Sequence, residues 1–75
     1  MISAIEACEI FKNKYPRYSV KAVYESKDYF HIHTNEKRLG GVISVSKDGL
    51  IKELTPFDED NMKILDSAKK ITVKV

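Results

Sequence analysis

The sequence predicts an α+β domain: a four-stranded antiparallel meander with an N-terminal and a C-terminal helix on one face of the sheet. Three observations predict it. Residues 3–14 and 55–71 carry apolar side chains at helical spacing. The residues between them alternate with a period of two, in runs broken by short polar turns. A chain of 75 residues has room for one core, so 1–75 is read as one domain.

The first helix is expected over 4–14. Ser3-Ala4-Ile5-Glu6 has the form of a capping box, in which Ser3 and Glu6 each accept from the other's backbone amide. Ile2 is placed to begin a hydrophobic staple toward Ala7. Ala4, Ala7, Cys8 and Phe11, with Ile5 alongside, make one apolar stripe. Lys12 and Lys14 suit the negative end of the helix dipole, and Pro16 stops the helix by forcing Tyr15 out of helical geometry.

From Tyr18 the alternation puts Val20, Ala22 and Tyr24 on one face and Lys21, Val23 and Glu25 on the other. Ser26-Lys27-Asp28 is a turn. Residues 29–34 return with Phe30 and Ile32 on one face and Tyr29, His31 and His33 on the other. Asn35 to Gly41 reads as a polar loop, and Val42–Ser46 as a third strand with Ile43 and Val45 inward. Lys47-Asp48-Gly49 holds the Asp-Gly pair of a tight turn, and 50–54 is the fourth strand.

The second helix starts with Thr55 as N-cap and Pro56 as first residue, or with Asp58 as N-cap. Its stripe is Phe57, Ile64, Leu65, Ala68 and Ile71, with Met62 at the edge; Asp58, Glu59 and Asp60 suit its start, Lys69 and Lys70 its end. Glu59–Lys63 and Asp66–Lys70 fall at the i,i+4 spacing of helical ion pairs. Residues 71–75 alternate and read as a short edge strand or a tail.

With Val20, Ala22, Tyr24, Phe30, Ile32, Ile43 and Val45 against the helices, the other face carries Lys21, Val23, Tyr29, His31, His33, Val42 and Ser44. Mixed apolar, aromatic and cationic groups are the make-up of an interface. The partner-binding set is therefore Lys21, Val23, Tyr29, His31, His33 and Val42, with Tyr29 as anchor.

Other chemistries find less footing. Net charge is +2 and evenly spread, with six basic and five acidic residues in 1–37 and seven and six in 38–75. Cys8 is the only cysteine, so no internal disulfide forms, and its place on the apolar stripe reads as a structural thiol. The absence of disulfides, of a signal-peptide pattern and of a long apolar run leads to the expectation of a cytoplasmic location. Gly40-Gly41 precedes a strand rather than a helix and is no phosphate loop. No cofactor and no membrane partner are expected. His31-x-His33 points two imidazoles the same way and gives an alternative, a small metal-binding protein or metal-dependent enzyme. Lys12, Lys14, Arg17 and Lys21, interleaved with Tyr15 and Tyr18, give a weaker nucleic-acid alternative. The order of elements is similar to that of double-stranded RNA-binding domains, yet the second helix opens on Asp58-Glu59-Asp60, which repels phosphate.

Gly40-Gly41-Val42-Ile43-Ser44-Val45-Ser46-Lys47-Asp48-Gly49-Leu50-Ile51 resembles the strand-Asp-Gly-strand hairpin of PepSY-type domains and of some small bacterial immunity proteins. Those immunity proteins also begin with an amphipathic helix followed by strands, as Ser3–Lys14 and Tyr18–Thr34 do here. The resemblance implies a non-catalytic, binding or inhibitory role. The expectation is a small protein-interaction module that binds another protein, or a second copy of itself, through the open sheet face, with no small-molecule substrate.

Overall fold

The computed structural model describes residues 1–34, 42–52 and 59–73. Helix α1 (Ala4–Lys14) leads into strands β1 (Val20–Glu25), β2 (Tyr29–Thr34), β3 (Val42–Ser46) and β4 (Ile51–Lys52). Helix α2 (Glu59–Ser67) follows, and then strand β5 (Lys69–Ile71). The sheet order is β4-β3-β2-β1-β5, with every neighbouring pair antiparallel. The architecture is the expected α+β one, and the final strand completes a five-stranded open sheet by docking beside β1. The loop at 35–41, the end of the fourth strand at 53–54 and the helix start at Thr55, Pro56, Phe57 and Asp58 lie outside the described residues, as do 74–75.

α1 starts as its sequence dictates. The Glu6 amide donates to Ser3 Oγ at 3.2 Å, and the Ser3 amide to Glu6 Oε1 at 3.3 Å. At the other end the Tyr15 amide closes on the Phe11 carbonyl at 2.8 Å, one residue before Pro16. Ala7, Cys8 and Phe11 are fully buried against Val23, Phe30, Ile32, Ile43 and Val45. Ile5, expected beside that stripe, is 52% exposed, while Ile10 packs against the core instead. Gly49 has a φ of +92°, and a side chain there would touch Ile10 and Ile2. The Ile2 amide donates to the Lys47 carbonyl at 2.9 Å, so the helix entry is tied to the β3–β4 turn.

The sheet corrects the expected faces at one strand. The ladder between β1 and β2 shifts register between Val20 and Ala22, with Val20 opposite Thr34 but Ala22 opposite His33. Lys21 is the extra residue of a β-bulge. Residues directly opposite share a face. Val20 therefore points toward α1 as expected, but Ala22 and Tyr24 join the face of His33 and His31. Val23 turns into the core, where it is only 3% exposed, opposite Ile32. On β2 and β3 the expected alternation holds: Phe30, Ile32, Ile43 and Val45 are core.

α2 ends earlier than its apolar spacing suggests. The Ser67 hydroxyl donates to the Ile64 carbonyl at 2.8 Å and the Ala68 amide to the Leu65 carbonyl at 3.2 Å, a tightened last turn. Lys69, Lys70 and Ile71 then pair with Glu25, Tyr24 and Val23. The two lysines are strand residues rather than helix-end cations, so Asp66 and Lys70 are not a helical pair. Ile71 packs against the core from a strand. α2 has no buried residue, and its Ile64 and Leu65 are half-buried.

The bulge gives a sharp test. Val23→Asp buries an unpartnered carboxylate and should remove several kcal/mol, enough to unfold so small a domain. Ala22→Asp, one residue earlier on the other face, should cost no more than about 1 kcal/mol. Urea denaturation of both variants reads the difference, and reversed sensitivities would place the bulge elsewhere.

Candidate functional site

The face turned away from α1 is assembled by cross-strand pairing. One row runs the width of the sheet: Lys52 on β4, Ser44 on β3, His31 on β2, Tyr24 on β1 and Lys70 on β5. A second row pairs Tyr29 with Ser46, and a third joins Val42, His33 and Ala22. Both outer strands thus contribute a lysine, and the strands between them contribute tyrosine, histidine and serine.

The centre of this face is closed. His31 and Ser44 are fully buried, and Ser46 and Ser26 are nearly so. His31 Nδ1 lies 2.6 Å from Ser44 Oγ, and Nε2 lies 2.8 Å from Ser26 Oγ. A neutral imidazole has one donor and one acceptor nitrogen, so the two hydroxyls must play opposite roles. Ser26 also donates to the Tyr29 carbonyl at 3.4 Å. The neutral ring thus donates to one of these hydroxyls and accepts from the other. Burial, with His33 as a secondary cause, lowers the His31 pKa from 6.5 to about 4. Burial lowers that of His33 as well.

The rim is accessible. Tyr24, Tyr29, His33 and Val42 are half-buried, and Lys52 and Lys70 are exposed. The rings of Tyr24 and His33 lie 4.5 Å apart, and those of Tyr29 and His31 5.9 Å apart. Lys52 Nζ stands 5.8 Å from the Tyr29 ring centre, within reach of a cation–π contact.

The six expected partner-binding residues therefore separate. Tyr29, His33 and Val42 lie on this face with accessible surface, and Lys21 is exposed at the bulge. His31 lies on the face but is sealed, held by serines. Val23 is on the opposite side, in the core, because the bulge transposes it. Sequence reasoning missed Tyr24, Lys52 and Lys70. Lys52 follows from simple alternation opposite Ser44, whereas Tyr24 and Lys70 require knowledge of the bulge and of the β5 pairing.

The pair His31–Ser44 has the spacing of a base and a nucleophile, but Ser44 has no exposed surface for a substrate to meet. A metal on His31 and His33 would have to displace a serine hydroxyl from His31. Among the described residues no group of three His, Cys, Asp or Glu side chains converges. Cys8 lies in the core beneath α1, its thiol pushed up in pKa by burial. Of the basic segment, Lys12 Nζ donates to the Tyr18 carbonyl at 2.6 Å. Tyr15 and Tyr18 pack against the core with their rings near parallel, 5.4 Å apart.

Comparison with known protein families, with curated proteins and with solved structures finds no match.

The buried imidazole makes stability pH-dependent. Its folded pKa lies below its unfolded one, so the unfolded chain takes up the proton first. Stability is full above about pH 6.5, falls as pH drops, and levels off below about 4. Over roughly 2.5 units at about 1.4 kcal/mol each, the full loss is of the order of 3–4 kcal/mol. Urea midpoints between pH 7.5 and 4 should fall for the native chain and far less for His31→Gln. Parallel curves would show that His31 is not the sensor.

Proposed function

We propose that this chain is a small, non-catalytic protein-interaction module that binds through the rim of the sheet face opposite α1. The observation that carries the reading is the arrangement of that face. Exposed Lys52 and Lys70 flank half-buried Tyr24, Tyr29 and His33 around a closed polar centre. Tyrosines fixed on a sheet supply large contact area with little rotamer entropy left to lose. Lysines at the periphery steer an acidic partner and set its orientation. The sealed Ser26–His31–Ser44 network gives the face a rigid floor, because each group satisfies its neighbour. The binding set then comprises Tyr24, Tyr29, His33, Val42, Lys52 and Lys70, with Lys21 at the margin.

An inhibitory or toxin-neutralising role, acting in the cytoplasm, is the specific form of this reading. Occlusion of another protein needs complementarity rather than a cofactor or a reactive group. No helix among the described residues is long and apolar enough to cross a membrane.

Tyr29→Asp places a charge on the face without entering the core. It should abolish capture of the partner from a lysate of the source organism while leaving the circular dichroism spectrum and melting unchanged. A partner held equally by both proteins, or none held by the native chain, would refute the reading.

A further inference from the structure

The basic, tyrosine-bearing segment after α1 takes no part in the rim, yet it is built with care. The Lys12 ammonium donates to the Tyr18 carbonyl at 2.6 Å and reaches the Pro16 carbonyl at 3.5 Å. The Tyr18 amide closes on the Tyr15 carbonyl at 3.1 Å. Residues 15–18 are thus held as a fixed turn. The rings of Phe11, Tyr15 and Tyr18 follow one another, with 5.7 Å and then 5.4 Å between centres, and the two tyrosine planes differ by 9°. Beside them Lys14, Tyr15, Pro16, Arg17 and Tyr18 line a notch of about 190 Å³. A cavity of about 150 Å³ takes one benzene ring, so the notch has room for one flat ring system and little more. Lys14 Nζ stands 5.8 Å from the Tyr15 ring centre. Lys14 and Arg17 are exposed, as is Lys21 further along the chain. No acidic residue falls between Lys12 and Lys21, and the last acid on α1, Glu9, precedes Lys14 by more than a helical turn.

We propose that this notch binds single-stranded nucleic acid, seating one base against the tyrosine pair while Lys14, Arg17 and Lys21 meet the phosphates around it. Two features select this occupant. An aromatic surface and cations within one short segment recognise a base and its phosphate together. The cations are also spread out: the backbone from Arg17 to Lys21 reaches up to about 13 Å, further than one phosphate extends. A polymer of phosphates meets all three, whereas a mononucleotide or a phosphotyrosine meets only those at the notch. A duplex keeps its bases stacked and paired, so it has no ring to offer. Tyr15 and Tyr18 pack against the core that α1 covers, so this surface is separate from the rim of Tyr24, Tyr29 and His33.

The test uses the full chain, isotope-labelled, and a single-stranded uridine decamer. Amide shifts should centre on residues 14–21. The logarithm of the affinity should fall with that of salt at a slope near about −2, roughly 0.7 for each of three phosphates. Lys14→Gln with Arg17→Gln should weaken binding about tenfold or more and cut the slope to about a third, with melting unchanged. A decamer with the same phosphates but no bases should also bind about tenfold more weakly, because stacking is removed and charge is not. Equal binding of the abasic strand would reduce the contact to charge attraction and overturn the inference, as would equal binding of uridine monophosphate or of a duplex of the same length. A phosphotyrosine peptide held more tightly than the decamer would overturn it and give the notch to a protein partner. Unchanged affinity in the double variant, shifts centred on Tyr29 and Lys52, or no binding at all would each overturn it too.

Discussion

A strand sends its side chains strictly to alternate faces, so one extra residue transposes everything that follows it. In β1 that residue is Lys21. Before it, Val20 packs toward α1; after it, Val23 does so, and Ala22 and Tyr24 are moved to the other side. Without the bulge, Tyr24 would be pressed into the core opposite Phe30, Ala22 would face Ile32, and Val23 would lie beside His31. The core is too small to take the larger ring at that position without rearrangement. Overpacking of this kind typically costs 1–3 kcal/mol. The bulge resolves the conflict by putting the small apolar residue inside and the amphipathic one on the wet rim.

The same constraint gives the two faces their characters. The α1 side is apolar at its centre, where Phe11 joins Ile32 and Ile43, with Thr34, Glu25 and Lys69 toward its ends. The opposite side is polar even where it is fully buried. A buried polar group is tolerable when its hydrogen bonds are complete, and His31 has a hydroxyl on each nitrogen. No buried polar side-chain atom among the described residues lacks a partner. Completeness has a consequence: the network works with a neutral imidazole. A proton arriving at the acceptor nitrogen meets a serine hydroxyl that must first turn around.

Much of this was legible in the chain itself. Ser3 and Glu6 announce the helix start because the capping bonds are local and need no tertiary support. Phe30, Ile32, Ile43 and Val45 announce their face because β2 and β3 alternate without interruption. Tyr29 and His33 could be placed on the other face by the same rule. The bulge was not legible. Lys21 is neither glycine nor proline, and nothing in its neighbourhood breaks the period; only the packing of Val23 against Ile32 selects it. The end of α2 was hidden for a similar reason. Ala68 and Ile71 continue the helical spacing, but the backbone of Lys69–Ile71 completes a ladder with β1 that no local propensity encodes. That His31 is sealed while His33 is not depends on their rows in the sheet, which follow from three strands together.

The two edges of the sheet show how one local event reaches the surface. An open sheet must guard its outer strands against adventitious pairing. At one edge, β4 carries the exposed Lys52, a charge that disfavours adventitious pairing. At the other, β5 carries Lys69 and Lys70, which repel a like edge. Among the described residues β5 pairs with Val23, Tyr24 and Glu25, the half of β1 that follows the bulge. The interruption that moves Tyr24 to the rim therefore lies where the observed β1–β5 ladder stops. A single inserted residue thus decides both which side chains of β1 join the tyrosines and histidines of β2 and how far the outer ladder is seen to run.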